Sequence, residues 1–307
     1  MLNQLSPPHQ KTYLVTGATS GLGLAAVRHM AKSSDVHVIA GVREFSRAGT
    51  LRRALPAARL TLLTLDVADL SSVRGFCAEV IQLGRPLHGL CLNAGLQFAR
   101  GDLRSPDGFE LTFATNHLGH FLMYELLAPQ LTAHARVITI GSGTQNPNKT
   151  AAHRFGFRDG VYTTAAALAQ AAPDPSLDAP QQGRDAYAAS KTANLLFIKA
   201  MARLAPATTF LALEPGAMPG TGLVRDAAVF RRLMWHTLAR LILPWMGGST
   251  PERSGRVLAK MLVDPSFAAP SGSYLDVAGG EGHPHPVVSR LDVQDELILT
   301  SRRCVGC

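Results

Sequence analysis

The stretch Thr16-Gly17-Ala18-Thr19-Ser20-Gly21-Leu22-Gly23 constrains the fold of this chain more than any other. It follows Tyr13-Leu14-Val15, a short apolar run suited to a buried strand. It leads into Leu22, Leu24, Ala25, Val27 and Met30, which recur at helical spacing. The glycines therefore stand where a strand turns into a helix. Glycine there lets the backbone approach a bound group with no Cβ in the way. The helix start adds free N–H groups and the positive end of the helix dipole, a ready site for phosphate. A plain strand-to-helix turn would use the same residues, so the turn needs support from the rest of the chain.

Alternation along the 307 residues supplies some of it. Thr12–Val15, Val36–Ala40, Leu60–Leu65, Leu87–Leu92, Arg136–Ile140 and Thr208–Leu213 read as strands. Helical patterns fill the gaps, notably Ser71–Leu83, Asp107–Leu131 and Arg184–Leu204. Such alternation predicts an α/β fold of Rossmann type, one doubly wound parallel sheet with helices on both faces. A bound nucleotide should lie across the carboxyl ends of the strands, at the switch point.

A second string lies far downstream. Tyr187-Ala188-Ala189-Ser190-Lys191 places a phenol and an ammonium four residues apart, on one helical face. Free tyrosine titrates near ~10, and a neighbouring cation lowers that value toward the working pH. The pair reads as a proton donor to a carbonyl oxygen, and Ser142 as a hydrogen-bonding partner for that oxygen.

The glycine spacing Gly-x-x-x-Gly-x-Gly is one part of an ordered set. Asn93-Ala94-Gly95 follows the run Leu90-Cys91-Leu92, and Asn116 sits in Thr115-Asn116-His117-Leu118-Gly119-His120-Phe121. Ser142 closes Val137-Ile138-Thr139-Ile140-Gly141, and Glu214-Pro215-Gly216 follows the Tyr187/Lys191 pair. From Lys11 to Tyr274 this order resembles the short-chain dehydrogenase/reductase family, in its retinol-dehydrogenase and protochlorophyllide-reductase branch. The resemblance implies a nicotinamide-dependent oxidoreductase acting on a carbonyl or alcohol. Tyr187 would be its general acid/base, and Lys191 would also bond the nicotinamide ribose. Asn116 would anchor a water on the lysine side, and Ser142 would hold the substrate oxygen. Gly17, Thr19, Ser20, Gly21, Leu22 and Gly23 would line the pyrophosphate, Asp66-Val67 the adenine pocket, and Asn93, Ala94, Gly95, Pro215, Gly216 and Ala217 the remainder of the cofactor.

The resemblance to the pigment-reducing branch extends to Gly141-Ser142-Gly143-Thr144-Gln145-Asn146-Pro147 and to Gly220-Thr221-Gly222-Leu223-Val224-Arg225. That branch has a cysteine shortly after its Pro-Gly pair; here Ala217-Met218 stands instead. Carbonyl or alcohol chemistry on a bulky apolar substrate is therefore the expected activity. A protochlorophyllide-reductase-like double-bond reduction and a non-catalytic NADP(H)-binding sensor or scaffold are the alternatives. After the second strand, where an acid would bond the ribose hydroxyls of NAD, the chain reads Val38-Ile39-Ala40-Gly41-Val42-Arg43. Arg43, with Arg47 nearby, suits the 2′-phosphate of NADP(H).

The formal charge of +8 is spread over scattered arginines with few aromatics, which argues against a nucleic-acid module. Met1–Gln10 reads as a disordered lead without a signal-peptide core, and no apolar run is long enough to span a membrane. A cytoplasmic protein is expected, without membrane contact, either a monomer or a homodimer paired through the helices around Asn116 and Tyr187. The catalytic domain is expected over 11–280. Within it, 144–183 is an insertion and 221–248 a lid whose Phe230 and Met234, with Met218, would face the substrate. Residues 281–307 read as a tail, His283-Pro284-His285-Pro286 as a mobile loop, and Cys304 and Cys307 as tail cysteines rather than metal ligands. His117 and His120 read as packing or surface residues.

Overall fold

The computed structural model describes residues 10–218 and 248–307, together with the backbone of 224–225. The expected lead lies almost entirely outside the described residues. So do nearly all of the 221–248 segment and its Phe230 and Met234.

Seven parallel strands form the central sheet: β1 (Lys11–Thr16), β2 (Val36–Val42), β3 (Leu60–Thr64), β4 (Leu87–Leu92), β6 (Leu131–Ile140), β7 (Thr209–Glu214) and β9 (Ser273–Asp276). Their order across the sheet is β3-β2-β1-β4-β6-β7-β9. The chain runs outward from β1 in one direction and then in the other, so the switch point lies between β1 and β4. A separate parallel pair joins β5 (Gln97–Phe98) to β8 (Val224–Arg225).

The helices are α1 (Gly21–Met30), α2 (Gly49–Ala54), α3 (Leu70–Gln82), α4 (Leu111–Phe113), α5 (Gly119–Leu127), α6 (Ala165–Ala169), α7 (Ala179–Leu204), α8 (Pro251–Val263) and α9 (Leu291–Val305). Strand side chains alternate between the two faces, which divides the core. Tyr13 and Val15 face a layer of α1 and α8 with Val27, Met30, Leu258 and Met261. Leu14 faces the other layer, where Phe76 of α3, Phe121 of α5 and Phe197 of α7 pack together.

The expected strands appear with edges shifted by a few residues, most at β6, which begins at Leu131. The helix expected over Asp107–Leu131 is shorter and broken. Between α4 and α5 a π-helical turn covers Ala114–Leu118. Helix α7 starts at Ala179, inside the expected insertion, because Asp178 caps it and Pro180 occupies the first turn. The rest of 144–183 folds as short 3-10 turns and α6.

The C-terminal stretch is no tail. Leu297, Ile298 and Val305 of α9 are buried in the same cluster as Phe121 and Phe197. Ser301 Oγ meets His117 Nε2 at 2.9 Å, and Arg302 pairs with Glu125 at 3.2 Å. α9 thus packs against α5 and α7, the helices named above for a dimer. The His283–Pro286 loop is also tied down: Gln145 Nε2 donates to His283 O at 2.8 Å and His285 N donates to Gln145 Oε1 at 2.7 Å.

If α9 belongs to the body, Leu297→Ala should destabilise the whole domain by ~2–5 kcal/mol, as for other fully buried leucines. Urea unfolding measures this. An unchanged midpoint would mean that the helix is a detachable appendage.

Candidate active site

The glycine turn leaves β1 at its carboxyl end. Gly17 has φ +66°, a conformation that side chains resist, and a Cβ on Gly23 would lie 2.5 Å from Gly17 O. The turn is therefore a bare backbone cradle. The N-cap Ser20 makes no side-chain cap bond, so the first N–H groups of α1 keep their donor capacity. Asn93, just after β4, clamps the turn from the side: its Nδ2 donates to Thr16 O at 2.8 Å and to Gly17 O at 3.3 Å. These features fit a dinucleotide pyrophosphate. Gly95 stands close to two of the expected catalytic residues: a Cβ there would lie 3.2 Å from Asn116 Oδ1 and 3.6 Å from Lys191 Nζ.

Arg43 follows β2 directly and is exposed, and it has no ion pair among the described residues. Asp66 and Val67 follow β3; Asp66 Oδ1 accepts from Ala68 N at 3.0 Å. Val67 O presses on Gly119, where a Cβ would come within 2.0 Å. Pro215 is buried, and its carbonyl accepts from Ser254 Oγ at 2.7 Å. Gly216 has φ +72°, Ala217 is exposed, and Met218 is half-buried against the α1/α8 layer.

The four expected catalytic side chains converge. Tyr187 and Lys191 lie one turn apart on α7, both buried. The Lys191 ammonium sits 5.4 Å from the Tyr187 ring centroid and donates to Ile140 O at 3.0 Å. Ser142 begins the turn after β6; its hydroxyl donates to the Tyr187 phenol and accepts from Thr144 N at 3.3 Å and from Thr144 Oγ1 at 3.0 Å. The π-helical turn carries Asn116, whose amide Nδ2 donates to Leu96 O and to Ser190 Oγ, each at 3.0 Å, while Oδ1 accepts from Leu96 N at 2.8 Å. Ser190 Oγ in turn donates to Tyr187 O at 2.7 Å.

The electrostatics depart from the sequence expectation. Lys191 was expected to pull the phenol down; burial instead pushes Tyr187 up to about 12, opposed only by the Ser142 hydrogen bond. The ammonium lies over the ring, at the distance of a cation–π contact. Tyr187 accordingly stands protonated at neutral pH, the form that a proton donor requires. Lys191 is itself pushed down to about 8 by burial.

The sequence assigned no contact role to Thr16, Glu214 or Tyr274, and only packing or surface roles to His117 and His120. Thr16 Oγ1 accepts from Asn93 N and Ala94 N, both at 2.9 Å, and meets His120 Nε2 at 2.9 Å. His117 and His120 are both buried, which pushes them down to about 3 and about 4. Glu214, half-buried, and Tyr274, buried, form a pair beside Ser142, with the Tyr274 hydroxyl donating to Glu214 Oε2 at 2.8 Å.

A family model described as short chain dehydrogenase matches residues 11–153. Protochlorophyllide reductase from Chlamydomonas reinhardtii, named as chloroplastic, is 34% identical over 277 residues, covering 86% of this chain and 69% of that protein. The chain belongs to the short-chain dehydrogenase/reductase family. Like its relatives it is an oxidoreductase with a Rossmann-type sheet. A solved structure of an uncharacterized protein from Mycobacterium paratuberculosis superposes with a TM-score of 0.67 at 25% identity, covering 99% of this chain and 96% of that one. A metagenomic blue fluorescent protein in complex with NADPH has the same fold, with a TM-score of 0.62 at 22% identity over 88% of this chain and 97% of that one. No helix among the described residues is long and apolar enough to cross a membrane.

The Lys191 site carries a stability cost with a defined pH window. Unfolded, the ammonium keeps its ordinary 10.5; folded, it titrates at about 8. Between these values the unfolded chain holds more protons, so this group's contribution to stability rises with pH. Below about 8 the full penalty stands, roughly 3 kcal/mol. Lys191→Met should therefore raise the urea midpoint near neutral pH, since Asn194 Nδ2, 3.4 Å from Ile140 O, still serves that carbonyl. The gain should fade as the pH approaches about 10. A loss of stability at neutral pH would refute the penalty.

Proposed function

We propose that this protein is an NADP(H)-dependent carbonyl reductase or alcohol dehydrogenase for a bulky apolar substrate. The observation that carries the reading is the convergence of the Tyr187 phenol, the Ser142 hydroxyl and the Lys191 ammonium beside the glycine cradle. When bound, the reduced nicotinamide supplies a hydride to the carbonyl carbon. Tyr187 donates its phenolic proton to the carbonyl oxygen, so that an alcohol results. Ser142 turns its one hydroxyl hydrogen toward that oxygen while Thr144 continues to donate to it from behind. Lys191 holds a positive charge against the Tyr187 ring and favours the phenolate left after transfer. Asn116 fixes the Leu96 backbone and, through Ser190, the turn of α7 that carries Tyr187. Gly17, Gly21 and Gly23 would hold the pyrophosphate, with Thr19, Ser20 and Leu22 supplying backbone N–H donors to it. The free cysteines fit a reducing compartment such as the cytoplasm.

The relatives' activity supports a second reading, light-driven reduction of a pigment double bond. Two observations favour the carbonyl reading over it. Ala217-Met218 offers no thiol after the Pro-Gly pair. Cys91, on β4, is fully buried and pushed up to about 12, a poor proton donor.

A carbonyl panel assayed with NADPH in the dark tests the reading. Tyr187→Phe should lower kcat by about three orders of magnitude, within the range for loss of a general acid, while NADPH affinity stays within a few-fold. Wild-type turnover in that variant would remove Tyr187 from the mechanism. Turnover of protochlorophyllide under light alone would favour the second reading.

The cofactor preference has its own test. Arg43→Ala should weaken NADPH by about ten- to a hundred-fold, the worth of one charge-assisted contact, and leave NADH binding unchanged. Equal losses for both cofactors, measured by fluorescence titration, would take the 2′-phosphate away from Arg43.

A further inference from the structure

A half-buried carboxyl lies beside the site with no part in the chemistry above. Glu214 ends β7 and stands in register with Asp276 of β9. Among the described residues no lysine or arginine pairs with it. Its partners are neutral donors. Gly143 N–H donates to one carboxylate oxygen, and the Tyr274 hydroxyl donates to the other at 2.8 Å. The contact with Gly143 is close: a Cβ there would lie 2.6 Å from Glu214 Oε1. Thr150 Oγ1 donates to Gly143 O at 2.9 Å, so the Gly143 peptide is held from both sides. Tyr274 cannot swing away, because its ring lies against Gly141 and Gly282, where a Cβ would meet it at 2.5 Å. Gln145 also hydrogen-bonds the Tyr274 hydroxyl. Through Gly141, Gly143 and Gln145 the cluster thus bears on the segment that carries Ser142.

We propose that Glu214 is the positioning residue for Ser142: its carboxylate grips Gly143 N–H and Tyr274 O–H together and sets the direction of the Ser142 hydroxyl. The proposal rests on the carbonyl reading of the same site. Burying an unpaired carboxylate is costly. Burial and the Asp276 carboxylate push Glu214 up, against the Tyr274 and Gly143 hydrogen bonds and the nearby His283. A carboxylate suits the place because both of its neighbours are donors and it is acceptor-only. Glutamine can reproduce the arrangement, with Oε1 toward Gly143 and Nε2 donating to the phenolic oxygen. Alanine cannot.

The experiment compares wild type with Glu214→Ala, Glu214→Asp and Glu214→Gln by three readouts: amide hydrogen exchange over 141–146, NADPH affinity, and kcat and KM on a carbonyl panel. Glu214→Ala should speed Gly143 exchange and lower kcat on the order of ten- to a hundred-fold, as misplacement of a reacting group does, with NADPH affinity within two-fold. Glu214→Gln should restore both exchange protection and kcat. Glu214→Asp keeps the charge but shortens the reach, so it should behave like alanine, and it decides the matter if Glu214→Ala does not fold. Unchanged exchange at Gly143 in folded Glu214→Ala or Glu214→Asp overturns the proposal. So does a lowered melting temperature with kcat intact. A wild type that reduces no carbonyl in the panel counts against the carbonyl reading, and the exchange measurement then decides the role of Glu214.

Discussion

One hydroxyl joins the parts of this site that come from distant stretches of chain. Thr16 Oγ1, at the carboxyl end of β1, accepts the amide hydrogens of Asn93 and Ala94 at the end of β4. With both acceptor positions filled, its own hydrogen goes to His120 Nε2 at 2.9 Å, the nearer of two acceptors; Cys91 O lies at 3.3 Å. His120 Nε2 is then an acceptor, so the ring is neutral with its proton on Nδ1, which faces Asn116 O at 3.3 Å. Burial agrees, holding the ring neutral at any physiological pH. The chain Asn93–Thr16–His120–Asn116 thus connects the glycine cradle to the helix turn of the catalytic set through fully satisfied polar groups. A buried network of this kind is rigid because leaving any member unpaired is costly.

The sheet, and the closeness of Tyr187 to Lys191, were legible in the sequence for a physical reason. Parallel strands are buried on both faces, so Val36–Val42 and Leu87–Leu92 read as nearly continuous apolar runs. The Tyr187/Lys191 spacing needs only a helix to bring both groups to one face. What escaped depends on tertiary contacts. Strand β9 has four residues and only Tyr274 among them is buried, too little for a pattern. The helix α9 alternates charged and apolar residues on a short stretch, and what makes it part of the body is the apolar floor on α5 and α7. The π-helical turn at Asn116 has no compositional mark, since it differs from an α-turn only in which carbonyl each N–H finds. The expected depression of the Tyr187 pKa failed for a related reason: spacing gives proximity along a helix but not the degree of burial, and here burial dominates.

Burial also explains how the site keeps charge without counter-ions. Lys191 and Glu214 both lie near the Tyr187–Ser142 pair, and neither forms an ion pair among the described residues. Lys191 gives a proton to a backbone carbonyl, Ile140 O. Glu214 takes a backbone amide hydrogen, that of Gly143. The two peptide groups are three residues apart, on either side of Ser142 at the end of β6. Had the side chains met directly, each would have cancelled the other's field. Held by separate peptide dipoles, the ammonium stays on the Tyr187 ring and the carboxylate stays behind the Ser142 turn.

That separation bears on the direction of proton transfer. A phenol becomes a better donor when positive charge is near its conjugate base and negative charge is far from it. The ammonium, 5.4 Å from the ring centroid, supplies the first condition. The second concerns Glu214, whose carboxylate takes the hydroxyl hydrogen of Tyr274. The cost is visible in the groups themselves: burial raises Glu214 and Tyr274 and lowers Lys191. A fold that tolerates three such groups around one phenol gives up stability there, and the compensating apolar contact lies in the two layers that cover the sheet.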